Sequence, residues 1–192
     1  MKRILITVLV IVVVAVLACQ KTEQAATAPA APAPAPSPMG SMASATTSVA
    51  YDLPAAWTRV QPTSSMRLDQ AAIPGEGGNG ELAVFFFGAG GGGGVEANLQ
   101  RWSDQMDSSS GPARESFDVG DYRVTWIDVT GTLQPSSMGM GPSDPQPNSR
   151  MFAAVVEGSG GPWFFKATGP ASTMDAAREE FVTMLRSVRA GE

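Results

Sequence analysis

Asp128 and Lys166 are the charged residues whose surroundings point to chemistry. Asp128 stands between Ile127 and Val129, and Lys166 follows Phe164 and Phe165. Charges set in apolar strands either turn out to solvent or face a cleft. In a cleft they would pair and shift each other's pKa. That pair is the acid–base arrangement this sequence offers. The chain has no histidine, so it lacks the residue best suited to proton transfer near neutral pH. Ser-His-Asp and Cys-His machinery is excluded. A carboxylate-pair hydrolase would need two acidic groups about 5 to 9.5 Å apart, a separation that only a fold can set. A non-enzymatic binding or interaction module is the expectation, with the carboxylate hydrolase and a small-ligand or metal carrier as alternatives.

Gly90, Gly91, Gly92, Gly93 and Gly94 form the second candidate, an anion or ligand loop. With Gly88 they put six glycines in seven positions between a strand-like and a helix-like segment. The run fits G-x-G-x-x-G, but a glycine tract this dense matches almost any glycine pattern. It lies among antiparallel hairpins rather than in a βαβ unit, and no Gly-Lys-Ser follows. A flexible connection that lets the next helix dock closely is the expected role, with an anion site at the helix N-terminus as the alternative.

Three further groups carry less. Met138 and Met140 suggest a soft copper(I) site, but no histidine or cysteine accompanies them in their glycine-proline loop. Asp104 and Asp107 precede Ser108-Ser109-Ser110-Gly111 without the spacing or the closing glutamate of a calcium loop. Trp57, Trp102, Trp126 and Trp163 are expected in the core rather than in a ligand cage. No metal or cofactor is expected.

Cys19, the only cysteine, speaks to location. It follows Lys2-Arg3, an apolar run of 15 residues from Ile4 to Ala18, and the small residue Ala18. This is the layout of a bacterial lipoprotein leader, with cysteine at the first mature position. A spanning helix needs roughly 20 apolar residues, and Gln20, Lys21 and Glu23 prevent extension. Residues 1–18 are therefore expected to be a signal peptide, with Cys19 acylated and the membrane a partner through that lipid. More than one acyl chain makes such an attachment stable. The expected location is the bacterial cell envelope, facing the periplasm. Gln20 leans toward the outer membrane.

Removing the leader with Lys2 and Arg3 leaves 11 basic against 18 acidic residues. A surface this acidic repels phosphate backbones, so nucleic acid is not an expected partner. An envelope protein or a small molecule is. Cys19 being the only thiol, disulfides are excluded even though an exported chain could use them.

Three regions position these residues. After the leader, residues 19–48 hold the lipid cysteine and an Ala/Pro-rich stretch. The 29 residues from Gln20 to Ser48 cannot bury a core. At about 3.1 Å per residue they reach roughly 90 Å as a disordered tether. Residues 49–189 have the composition of one globular domain. Within it Trp57–Val60, Met66–Ile73 and Glu81–Gly88 read as strands, the last strongest for its β-branched and aromatic run. Val95, Leu99, Trp102 and Met106 form one helical stripe. Glu115–Val119 with Tyr122–Leu133, and Met151–Glu157 with Trp163–Thr168, read as hairpins around glycine turns. Ser172–Val188 reads as a second helix, capped by Ser172 with Asp175 three residues on. It buries Met174, Ala177, Phe181, Met184, Leu185 and Val188. Pro135–Ser149, with four prolines, reads as a long loop. The fold class expected is α+β, an antiparallel sheet with two packed helices.

The stretches LPAAWTRVQPTSSMRLDQAAIPG, GGGGVEANLQRWSDQM and FFKATGP, with the terminal helix, resemble uncharacterised lipoproteins of planctomycete-like and myxobacteria-like bacteria. The resemblance spans about Tyr51 to Val188 and implies no activity. The element order also resembles the PsbP-like α/β/α sandwich. It implies that layering and no site residues, since fold alone does not assign function.

Overall fold

The computed structural model describes residues 48–135 and 142–191. The leader, Cys19, the tether up to residue 47, and Met138 and Met140 lie outside the described residues. In chain order the elements are β1 (Val49–Ala50), β2 (Thr58–Arg59), β3 (Asp69–Ile73), β4 (Gly80–Phe86) and α1 (Val95–Ser103). They continue with β5 (Met106–Asp107), β6 (Ala113–Val119), β7 (Tyr122–Leu133), β8 (Gln146–Glu157), β9 (Trp163–Pro170), α2 (Ala171–Arg186) and β10 (Arg189–Ala190). The fold is α+β. Eight strands form one antiparallel sheet in the order β2-β3-β4-β9-β8-β7, and the outer edge of β7 is shared by β6 and β5. β1 and β10 clasp the two ends of the described domain.

Strand alternation sends successive side chains to opposite faces, and both faces of the central strands are buried. On β9, Trp163, Phe165 and Ala167 join the core under α2, while Phe164 joins the core under α1. On β8, Phe152, Ala154 and Val156 take the α2 side, and Met151, Ala153 and Val155 take the α1 side. α2 lays its expected stripe on β8 and β9, with Phe181 fully buried against Trp126 and Phe152. α1 sits on the other side, over β7 and β8, burying Leu99 and Trp102. All four tryptophans are buried.

The structure moves several expected boundaries. α1 ends at Ser103, not Met106. Met106 still completes the buried stripe, but from β5, where pairing with Leu133 takes the backbone bonds a longer helix would use. β8 begins at Gln146 rather than Met151, so the second half of the expected Pro135–Ser149 loop is strand. Pro147 is tolerated there because the β7–β8 register shifts between Gly131 and Leu133, and Asn148 next to it adopts φ 51°. α2 starts at Ala171 after Pro170, without a side-chain cap. Ser172 is therefore inside the first turn. Its neighbour Thr173 donates instead to the Gly78 carbonyl at 2.7 Å, and Asp175 pairs with Arg150.

Both described cores, and the β1–β10 clasp, are built from residues between 48 and 191. Chains beginning at Gln20 and at Ser44 are expected to melt cooperatively at midpoints within about 3 °C of each other. Loss of the cooperative transition in the shorter chain, read by calorimetry, would show that preceding residues belong to the fold.

Candidate functional site

The two helices cover their faces unequally. α2 has 16 residues and α1 has nine, about 24 Å against about 13 Å of helix. On the α1 side, the surface of β4 and of the end of β9 lies beyond that short helix. A cleft of about 790 Å³ opens there, within the usual size of small-molecule sites. Ala83, Phe85 and Phe164 form its apolar floor, and Met66, Phe87 and Trp102 its walls. The Phe85 and Phe87 rings lie nearly parallel with centroids 6.3 Å apart. Phe164 meets Phe87 on one side and Trp102 on the other. Met66 and Phe87 are large apolar side chains left exposed at the mouth.

Four charged side chains line the cleft: Arg67, Arg101, Lys166 and Glu81. Arg67, just before β3, is 9% exposed and its Nη1 lies 2.6 Å from Glu81 Oε1. Glu81 accepts a second bond from Gln70 Nε2 at 2.7 Å, so both carboxylate oxygens are engaged. Arg67 Nε is buried and has no acceptor among the described residues. A buried donor left unpaired is costly; Arg67 lines the cleft with the rest of its side chain, while Nε itself is closed to solvent. Lys166 donates from Nζ to Gln105 Oε1. Burial pushes its ammonium pKa down to about 8, helped by the charges of Arg67 and Arg101 and opposed by Glu81. Three cations against one carboxylate make a locally positive cleft on an acidic protein.

The glycine run serves this cleft by position. Gly90, Gly92 and Gly93 have φ of 74°, 78° and 83°, a region that disfavours side chains. A Cβ on Gly92 would land in the Phe164 ring, and one on Gly91 would strike the Phe87 carbonyl. Asn98, buried on α1, donates from Nδ2 to the carbonyls of Gly92 and Gly94, both at 2.9 Å. Its Oδ1 accepts from Arg101 Nη2. The loop thus fixes Asn98, and Asn98 orients Arg101. Of the five candidate glycines, Gly92 alone lines the cleft; Gly90, Gly91, Gly93 and Gly94 do not.

Asp128 and Lys166 are not a pair. Ile127, Ala153 and Lys166 form one cross-sheet row, and Asp128, Phe152 and Ala167 form the next. Adjacent rows point to opposite faces, so Lys166 faces the cleft and Asp128 faces the α2 side. There Asp128 holds Arg150 with two bonds, at 2.7 and 2.6 Å, and Arg178 at 3.2 Å. Arg150 lies over Phe152 and Arg178 over Trp126, 5.0 and 5.2 Å from the ring centroids. Arg178 continues to Glu115 at 3.0 Å. This network seals the edge of the α2 core. Arg67, Glu81, Arg101 and Gln105 were not singled out in the sequence. One signal was present for the site: Lys166 is the only lysine between residues 48 and 191. Asp104 accepts a bond from Gln100 at 2.7 Å, and no cluster of three metal-binding side chains forms among the described residues. No protein-family model and no curated protein matches the sequence.

Two outcomes are expected. Reductive ¹³C-methylation of a chain from Ser44 labels Lys166 as its single lysine, and the label is expected to titrate near 8 by NMR. A midpoint near the ordinary 10.5 would place the side chain in water. Because the folded pKa is depressed, the unfolded chain holds the extra proton above about pH 8, so this group makes stability rise with pH. Relative to Lys166→Met, the native chain gains about 2 kcal/mol between pH 8 and pH 10 in denaturant titrations. Tyr51 acts in the opposite direction. Burial and Asp69 raise its pKa, so it subtracts stability above pH 10. Separately, Asp128→Ala leaves two arginines without their shared carboxylate and is expected to cost about 2–4 kcal/mol. An unchanged denaturation midpoint would deny Asp128 its clamping role.

Proposed function

We propose that this chain is a lipid-anchored cell-envelope protein whose domain binds a small ligand in the cleft beside α1, without catalysing a reaction. The observation that carries the binding reading is Arg67. Its side chain is only 9% exposed, and it lines an aromatic cleft that also holds Lys166. Such groups are expensive to bury, and a ligand that accepts from them would offset the cost. Hydrolysis is the weaker reading. Glu81 is the one carboxylate among the described residues lining the cleft, and its two oxygens are already engaged by Arg67 and Gln70.

The anchoring half of the proposal rests on the leader and Cys19, and the Ala/Pro-rich stretch would hold the domain away from the membrane. A helix on each face of the sheet gives the layering of the PsbP-like sandwich, and we group the domain with that architecture on this basis.

Each half has its own test. Cys19→Ser is expected to move the protein from the membrane pellet to the soluble fraction; membrane retention would overturn the lipid anchor. A protein-free small-molecule extract of the envelope is expected to raise the melting midpoint by several degrees, as a ligand near 100 times its Kd would. A folded protein whose midpoint ignores every fraction of that extract would overturn the binding reading.

A further inference from the structure

We infer that the cleft is built for an organic carboxylate, its head held by Arg67 and Lys166 and its apolar body laid on Phe85, Phe87 and Phe164. This inference rests on the cleft being the binding site and adds the chemical class. Three observations lead to it.

The first is charge. Arg67, Arg101 and Lys166 outnumber Glu81 in the cleft, so the ligand that balances it is an anion. The second is the state of the donors. Arg67 spends Nη1 on Glu81 and buries Nε away from solvent, which leaves Nη2, without a partner among the described residues, as the donor it can offer the cleft. A guanidinium edge is shaped to meet a carboxylate or phosphate. Lys166 Nζ has three donor positions and one described acceptor, the neutral amide oxygen of Gln105. Both heads can therefore add an acceptor without breaking the bonds that fix them. The third is the surface around them. Phe85, Phe87, Phe164 and Trp102 would be poor company for a small hydrated ion, and they match an apolar body. The Glu81 carboxylate, 2.6 Å from the Arg67 head, favours a singly charged group over a phosphate dianion by like-charge repulsion. A carboxylate satisfies all three.

The remaining parts support this geometry. Arg101 is held toward the cleft by Asn98, which the glycine loop fixes through two carbonyls. Arg101 is a positioning and field-setting residue here, next to Trp102 in α1. Phe87 and Met66 stand exposed at the mouth, where an apolar body longer than the floor would leave the cleft.

The test uses the chain from Ser44 made with ¹³C,¹⁵N-lysine, so that Lys166 keeps its three donors, titrated by naphthalene-2-carboxylate, by its neutral counterpart naphthalene-2-methanol, and by inorganic phosphate. The carboxylate is expected to bind saturably and to raise the Lys166 midpoint by about one pH unit, because a nearby anion favours the ammonium. The alcohol is expected to bind at least about tenfold more weakly, and phosphate not to compete. Arg67→Gln is expected to weaken the carboxylate about tenfold. Should that variant not fold, Arg101→Gln, expected to weaken binding about threefold through the lost field, takes its place. Equal binding of alcohol and carboxylate would overturn the carboxylate assignment while leaving the cleft a ligand site. Displacement by phosphate would overturn it as well, leaving a plain anion hole. If none of the three perturbs Lys166 or the cleft resonances, the binding reading falls with it.

Discussion

An eight-stranded sheet has two apolar faces, and here two helices of unequal length must cover them. α2, with 16 residues, shields β8 and β9 on its side, and that face can be filled with tryptophan, phenylalanine, methionine and leucine. α1, with nine, covers β7 and β8. The part of the sheet beyond it cannot be wholly aliphatic, because water reaches it. Glu81, Lys166 and Thr168 occupy that zone, alternating along their strands with residues of the other core. The cleft is thus the region where a short helix ends before the sheet does. Its mixed chemistry, aromatic toward α1 and charged toward Arg67, follows from that geometry.

Within the cleft, electrostatics and packing are tied to the same few contacts. Lys166 gives up a water shell and gains one amide oxygen. Its neighbours Arg67 and Arg101 add repulsion, and Glu81 offsets only part of it. The arrangement is stable because it is anchored elsewhere. Arg67 is fixed by Glu81, which Gln70 holds in turn, and Arg101 by Asn98 and the glycine loop. Gly92 lets that loop press on the Phe164 ring, so the helix, the loop and the aromatic floor share one contact. A group of cations held by interactions outside the binding surface is preorganised for an anion.

The opposite face shows the same elements used for stability. Asp128 is nearly as buried as Arg67, yet it is fully bonded, to two arginines that themselves lie over Phe152 and Trp126. Satisfied, that cluster closes a core. The Arg67 cluster instead lines an open cleft. Position on the sheet, rather than any difference in residue type, separates the structural ion network from the candidate site.

Much of the architecture was legible in the sequence because it depends on local periodicity. The Met174-Ala177-Phe181-Met184-Leu185 stripe specifies a helix with one buried face, and ELAVFFF a strand buried on both. The glycine turns at Gly120 and at Gly158–Gly161 place two hairpins. The ends of elements were less legible. Met106 satisfies a helical stripe but belongs to β5, because its pairing with Leu133 is a contact made across the sequence. Ser172 has the chemistry of a cap, but Pro170 sets where α2 begins. What the sequence by itself determined was the α+β class, the tryptophan core and the close docking of α1 on a glycine loop. Only the tertiary structure decided which charges meet. Asp128 and Lys166 have the same kind of neighbours, yet a one-residue difference in cross-strand register sends them to opposite faces. Arg67, far from Lys166 in the chain, arrives beside it. Side-chain direction in a sheet has a period of two, and its phase is fixed by pairing between distant strands, which no local pattern encodes.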